Sequence, residues 1–159
     1  MAWLMWLQDT PFARWVAAST SIWAYPSILT AHTVGLGVLV GGNVALDLAL
    51  LGFFPGTPLA PLERLFPIMW TGFWINAVSG ACLFAADAAT KGTQTIFYVK
   101  LLLVALGMTN MVLIRRAVFG VPAAARPART DERVRSLARA SLGLWVGAIT
   151  AGRLMAYIR

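Results

Sequence analysis

Residues 65–86 run without a single charged side chain, and residues 26–46 do the same. A helix rises about 1.5 Å per residue, so runs of this length reach across the roughly 30 Å of hydrocarbon in a bilayer. A soluble domain of this size has too little interior to hide so much apolar side chain. The remaining composition agrees. Of 159 residues, 59% are hydrophobic and only 12% are charged, against roughly 25% charged in soluble domains. Lipid is the solvent that resolves the conflict, and an integral membrane protein is expected.

Prolines and glycines punctuate the apolar runs. Pro26 opens a first span over about 26–53, and Gly52, Pro55, Gly56 and Pro58 end it. Pro61 opens a second span over about 62–88, with Pro67 placed to kink the first turn. A loop at 89–94 leads to a third span over about 95–118, and a Pro/Ala/Arg loop follows at 119–130. Thr130, Asp131 and Glu132 then read as a capped helix start with acids in the first turn. This fourth helix carries Arg133, Arg135 and Arg139 ahead of or at the edge of its spanning part, about 136–158.

Residues 1–25 are different. Trp3, Trp6, Trp15 and Trp23 crowd a stretch too short and polar to span. Thr10 reads as a helix N-cap and Pro11 as its first helical residue. Trp rings settle at the headgroup level, so this stretch is expected to lie in the interface. No Lys or Arg opens the chain, and Asp9 and Pro11 interrupt it, so no cleavable signal is expected. The predicted architecture is all-α: a four-helix transmembrane bundle over 26–159 with an N-terminal interfacial amphipathic segment.

The net charge of +7 comes mostly from arginines between spans. If the spans alternate, one side carries Arg64, Arg115, Arg116, Arg126, Arg129, Arg133, Arg135 and Arg139. The positive-inside rule puts that side, with loop 119–130, in the cytoplasm and both termini in the periplasm of a bacterial inner membrane. Basic residues interleaved with aromatics on a soluble face are absent, so the expected partner is the lipid bilayer and not nucleic acid. Other membrane subunits or further copies of the chain are expected to join it. Cys82 is the only cysteine and lies in an apolar run. It allows no intrachain disulfide, and no CxxC or CxxCH offers zinc or covalent haem attachment. Serine-nucleophile, HExxH and P-loop motifs are also missing.

A charge in hydrocarbon costs about 2.5–3.5 kcal/mol on insertion scales, so each polar residue inside a span needs a reason. Depth sorts them. His32 in the first span, Asp87 at the end of the second, Lys100 early in the third and Arg153 late in the fourth fall within roughly 10 Å of one boundary by helical rise. Lys100 and Arg153 could equally snorkel to headgroups, and His32 could simply tie helices together. Asp47 lies deeper, where Arg115 or Arg116 is its expected partner. Asn76 and Asn110 read as polar bridges between helices, and Asp87 as a structural polar group at a helix end. Gly37-x-x-x-Gly41 and Gly143-x-x-x-Gly147-x-x-x-Ala151 are expected to let backbones approach. Trp70, Trp74 and Trp145 sit mid-span, where they could line a planar cofactor or fill the bundle.

Imidazole ligates haem iron or copper, and Lys and Arg suit anionic groups such as porphyrin propionates. His32 with Lys100 and Arg153 therefore reads as a haem b site, His32 being the metal ligand. One histidine excludes bis-His ligation from a single chain. A second ligand would come from Met69, Met108, Met111 or Met155, from Lys or water, or from another chain. Copper is the other metal reading, drawing on His32, Cys82 and the methionines.

The stretches AHTVGLGVLVGGNVALDLALLGF, GFWINAVSGACLFAADA, FYVKLLLVALGMTN and LWVGAITAGRLMAYI resemble a family of bacterial four-helix integral membrane proteins of unassigned activity. The likeness covers about 20–158. More distantly, a His early in the first span and a Lys opening the third are similar to the haem-associated membrane protoporphyrinogen oxidase. That resemblance implies His32 as axial ligand and Lys100 as the functional lysine. Val44–Leu48 stand where the oxidase carries Tyr-Leu-Pro-Arg. Lys100 and Asn110 before an Arg-rich loop look like the copper-resistance D type of membrane protein. The function expected is a haem-b-associated redox or electron-transfer subunit; the alternatives are a cofactor-free structural subunit of a larger membrane complex, or copper handling.

Overall fold

The computed structural model describes residues 2–120 and 131–157. Most of loop 119–130, with Arg126 and Arg129, lies outside the described residues. Seven α-helices follow in order: α1 (Ala2–Gln8), α2 (Pro11–Ala18), α3 (Tyr25–Leu51), α4 (Leu65–Ala86), α5 (Ala88–Lys91), α6 (Thr95–Phe119) and α7 (Glu132–Leu154). A 3-10 turn, Ala60–Arg64, leads into α4. No strand occurs among the described residues.

Among the described residues three stretches are long and apolar enough to cross a membrane: Tyr25–Leu51, Ala60–Ala86 and Thr95–Phe119. The chain therefore has the character of a membrane protein. α7 does not join them, because its 23 residues include Glu132, Arg133, Arg135, Arg139 and Arg153.

The helix ends follow local chemistry. Gly52 ends α3 at φ 92°, a left-handed conformation that glycine adopts freely, and its N–H meets the Ala49 and Leu48 carbonyls. Thr10 caps α2 through Oγ1 accepting from the Ala13 N–H at 3.3 Å, with Pro11 at the first helical position. Asp131 caps α7, its carboxylate accepting from Arg133 N–H at 2.9 Å. Asp131→Ala is expected to cost about 1 kcal/mol, read as a fall in thermal midpoint in detergent, whereas Asp131→Asn should leave it nearly unchanged. The loop read at 89–94 is shorter than expected. The chain breaks at Asp87 (φ −141°, ψ 40°) and turns once more as α5.

α4 packs on α3, α3 on α7 and α7 on α6, in a row of four. α4 and α6 stand at the two ends of that row, and their backbones approach each other far less than those of the packed pairs. Aromatic pairs bridge them at both extremities. Phe84 and Phe97 stack at 4.9 Å and 11°, and Phe66 meets Phe119 edge-on at 5.6 Å.

The core fills one half of the bundle. Leu39, Leu46, Leu50, Phe66, Met69, Met111, Ile114, Val118 and Trp145 are almost wholly buried there. Close approach of α3 to α4 depends on Gly35 and Gly72. A Cβ on Gly35 would lie 2.7 Å from Asn76 N, and one on Gly72 would lie 2.8 Å from Leu39 N. This corrects the expectation for Gly37 and Gly41, which meet nothing within 4 Å, as does Gly143. Those glycines sit on the other side of their helices. Trp145 presses on Gly107 of α6 and fills the interior.

α1 and α2 lie at the other end of the bundle from this core, α1 against α5 and α2 against α4. Leu4, Ala13 and Val16 are buried, while Trp3, Trp6, Trp15 and Trp23 remain exposed. Gln8 ties the arm down by accepting from Ala89 N–H at 2.9 Å.

Candidate functional site

The half of the bundle without a packed core is hollow. Two adjoining cavities of about 530 and 510 Å³ open between α4 and α6. His32, Gly80, Phe84, Phe97 and Lys100 line both. One lobe is polar and also takes in Asp87, Lys91, Arg153 and Met155. The other is apolar, bounded by Phe73, Ala77, Ala81, Leu101, Val104, Ala105 and Met108.

His32 is held at the back of this space by an interlocked set of bonds between α3 and α4. Its Nδ1 lies 2.9 Å from the Asn76 carbonyl and 3.2 Å from Ser79 Oγ. In return Asn76 Nδ2 donates to the His32 carbonyl at 2.8 Å. Ser79 Oγ donates to the Ile75 carbonyl at 2.5 Å. A backbone carbonyl only accepts, so the proton sits on Nδ1. The neutral ring then carries its lone pair on Nε2, which makes no hydrogen bond to any described residue. Metal-binding histidines are oriented in this way, with the far ring N–H on a carbonyl or carboxylate. Gly80 makes the placement possible: a Cβ there would lie 2.9 Å from His32 Cε1.

Lys100 sits one turn into α6, and its aliphatic stem touches Gly152 of α7. Lys91 Nζ donates to the Met155 carbonyl at 3.2 Å and pairs with Asp87 at 3.8 Å, joining α5 to the end of α7. Arg153 is exposed at the mouth. His32, Asp87, Lys100 and Arg153 therefore all line one cavity. Reading the sequence by depth did not find Lys91, because residues 89–94 read as a loop. It also did not find Ser79 or the Phe84–Phe97 stack, whose placement depends on helix rotation.

The remaining polar candidates lie elsewhere. Asn110 Nδ2 donates to the Leu137 carbonyl at 3.0 Å and ties α6 to α7. Asp47 is fully buried, and the expected pairing with Arg115 or Arg116 is not formed. Both arginines are exposed in the last turns of α6, and Arg115 lies over the Phe66 ring at 5.5 Å. Trp70, Trp74 and Trp145 do not line the cavity. Cys82 lies in a separate groove with Trp74, Ile75 and Val78. No group of three His, Cys, Asp or Glu side chains gathers among the described residues. Met69 and Met111 are in the closed core, while Met108 and Met155 each border one lobe.

Comparison with protein-family models, with curated proteins and with solved structures finds no match.

Proposed function

We infer that the chain is a haem-b-binding redox or electron-transfer subunit of a bacterial inner membrane. The observation that carries this reading is His32, its Nδ1 fixed on a helix carbonyl and its Nε2 free beside a cavity. The donor set suits the group. His32 would supply an imidazole to the iron, Lys100, Lys91 and Arg153 would offer cations to the propionates, and Phe73, Phe84 and Phe97 would offer apolar walls. Each lobe also falls within the roughly 300–1,000 Å³ of ordinary cofactor pockets.

When bound, haem supplies one-electron chemistry. The chain's own part is to orient the imidazole through Asn76 and Ser79, to balance anionic charge with Lys100 and to exclude water through the apolar lobe. The reading includes a fourth spanning helix in α7. It places the end that carries Arg64, Arg115, Arg116, Arg133, Arg135 and Arg139 in the cytoplasm, with the His32 end and both termini periplasmic. The Trp-rich arm then lies in the outer interface.

The test is the absorption spectrum of protein purified in detergent from haem-sufficient cells. A Soret band with about one haem per chain supports the reading, and a colourless protein after haem supplementation removes it. Lys100→Ala should weaken haem retention by roughly 10-fold or more, since a charge-assisted bond contributes about 1.5–3 kcal/mol. Arg153→Ala should do less, because an exposed ion pair contributes at most about 1 kcal/mol.

One observation favours a second reading as a structural subunit. Gly37 and Gly41 on α3 and Gly143 on α7 face open space where another helix could seat. A colourless protein recovered only within a larger complex is the result expected of it. Copper handling gains less from the geometry, because Cys82 and His32 face different cavities.

A further inference from the structure

A second polar site lies in the core half, its α3 residues about 16–22 Å from His32 along the helix. Asn43 and Asp47 are one turn apart on α3, and Ser141 and Trp145 are one turn apart on α7. α3 and α7 pack together with Ser141 facing Asp47. Gly107 meets Trp145, Lys100 meets Gly152 and Asn43 reaches Met111, so α7 runs against α3, and helical rise brings Trp145, one turn beyond Ser141, toward the level of Asn43. All four side chains are at most 1% exposed. Asn43 Oδ1, both Asp47 carboxyl oxygens, Ser141 Oγ and Trp145 Nε1 are without a hydrogen-bond partner among the described residues. The Asn43 amide nitrogen is already committed to the Leu39 carbonyl at 2.8 Å, so only its oxygen remains to be used.

Several orphaned polar atoms in one buried interface carry a large penalty, and an unpaired carboxylate there carries more. Among the described residues no counter-ion relieves it. Glu63 and Arg64 before α4, Arg115 and Arg116 on α6, and Asp131, Glu132, Arg133, Arg135 and Arg139 at the start of α7 are the charged groups at this end among the described residues, and none forms an ion pair with Asp47. Arg139 pairs with Glu132 at 2.8 Å.

We propose that Asn43, Asp47, Ser141 and Trp145 form a buried site for one proton and one water molecule, the proton held on Asp47. The hydrogen-bond accounting then closes. The donors are the indole N–H, the serine O–H, the carboxyl O–H and both water hydrogens. The acceptors are Asn43 Oδ1, the Asp47 carbonyl oxygen, Ser141 Oγ and two lone pairs on water. Buried waters take about three such bonds each. A metal cation fits worse. The indole N–H would be left facing it, and three oxygen-bearing side chains fall short of the roughly six ligands that hard cations take. The site would store a proton inside the membrane, independently of any cofactor at His32.

Infrared spectroscopy of the full chain in lipid nanodiscs at neutral pH decides the matter. The chain has six acidic residues, and Asp47 alone is buried. A protonated-carboxyl C=O stretch is expected in the wild type. It should shift in heavy water and disappear in Asp47→Asn, whose neutral side chain should leave the thermal midpoint within a few degrees of wild type. Absence of that band from the wild type overturns the proposal. So does a thermal midpoint raised by sodium or potassium in the wild type but not in Asp47→Asn. Should Asp47→Asn fail to fold, the wild-type band, its deuterium shift and its response to sodium and potassium still give the answer.

Discussion

His32→Ala is expected to abolish the Soret band that the haem reading requires of the purified protein, while leaving its elution volume and helical content unchanged. Both parts of this expected result follow from the same bonds. Removing the imidazole removes the chain's one histidine nitrogen, the ligand that the haem reading assigns to the cavity. Yet the bond that Asn76 donates across α3 and α4 ends on the His32 backbone carbonyl, which alanine retains. The fold should therefore survive the loss of the ligand. His32→Gly should behave alike and should recover absorbance when imidazole is added to the buffer, because the vacated space admits the free base. Ser79→Ala should lower haem content only slightly, since the Asn76 carbonyl still holds Nδ1 at 2.9 Å. A Soret band that persists in His32→Ala would remove His32 as the ligand and the present reading of the cavity with it.

The second large effect concerns stability. Gly35→Ala is expected to destabilise the protein by about 1–3 kcal/mol or more, as overpacking does. The added Cβ would meet Asn76 N at 2.7 Å and the Gly72 carbonyl at 2.9 Å. Both are backbone atoms of a helix, so relief requires moving α4 as a body. Asn76 and Ser79 ride on α4, so His32 would lose its orientation too, and haem content should fall together with the thermal midpoint. Gly37→Ala serves as the control. It meets nothing within 4 Å, and alanine favours helix over glycine by about 0.8–1 kcal/mol in water. Thermal unfolding of the two variants in one detergent compares them directly. Equal midpoints for both would show that the Gly35–Gly72 crossing is not close in solution.

These contrasts show which features can be read from a linear sequence. Helix ends were legible because proline and glycine have local conformational consequences. Pro26, Gly52 and Pro61 bounded α3 and the approach to α4 to within a few residues. Depth was legible because rise per residue is fixed, and on that basis His32, Asp87, Lys100 and Arg153 were expected at one level. Rotation about each helix axis was not legible. These spans are apolar all round, so no stripe marks the packed face. That is why Gly37 and Gly41 were mistaken for the crossing that Gly35 makes. Asp47 was assigned an arginine partner on depth alone, while Arg115 in fact turns outward over Phe66. The fourth helix was read as spanning from its C-terminal half, and its arginine-bearing first turns keep the whole element less apolar than the other three.

The row arrangement of the helices has a mechanical corollary. Each outer helix packs closely on one inner neighbour, and side chains alone close the remaining side: the two ring pairs, Arg115 over Phe66 and the apolar residues of the core. Spreading that side would break the Phe84–Phe97 and Phe66–Phe119 contacts but none of the bonds between α3 and α4 or between α6 and α7. A flat guest dissolved in the bilayer could thus slip in sideways, like a card between the covers of a book whose spine stays bound.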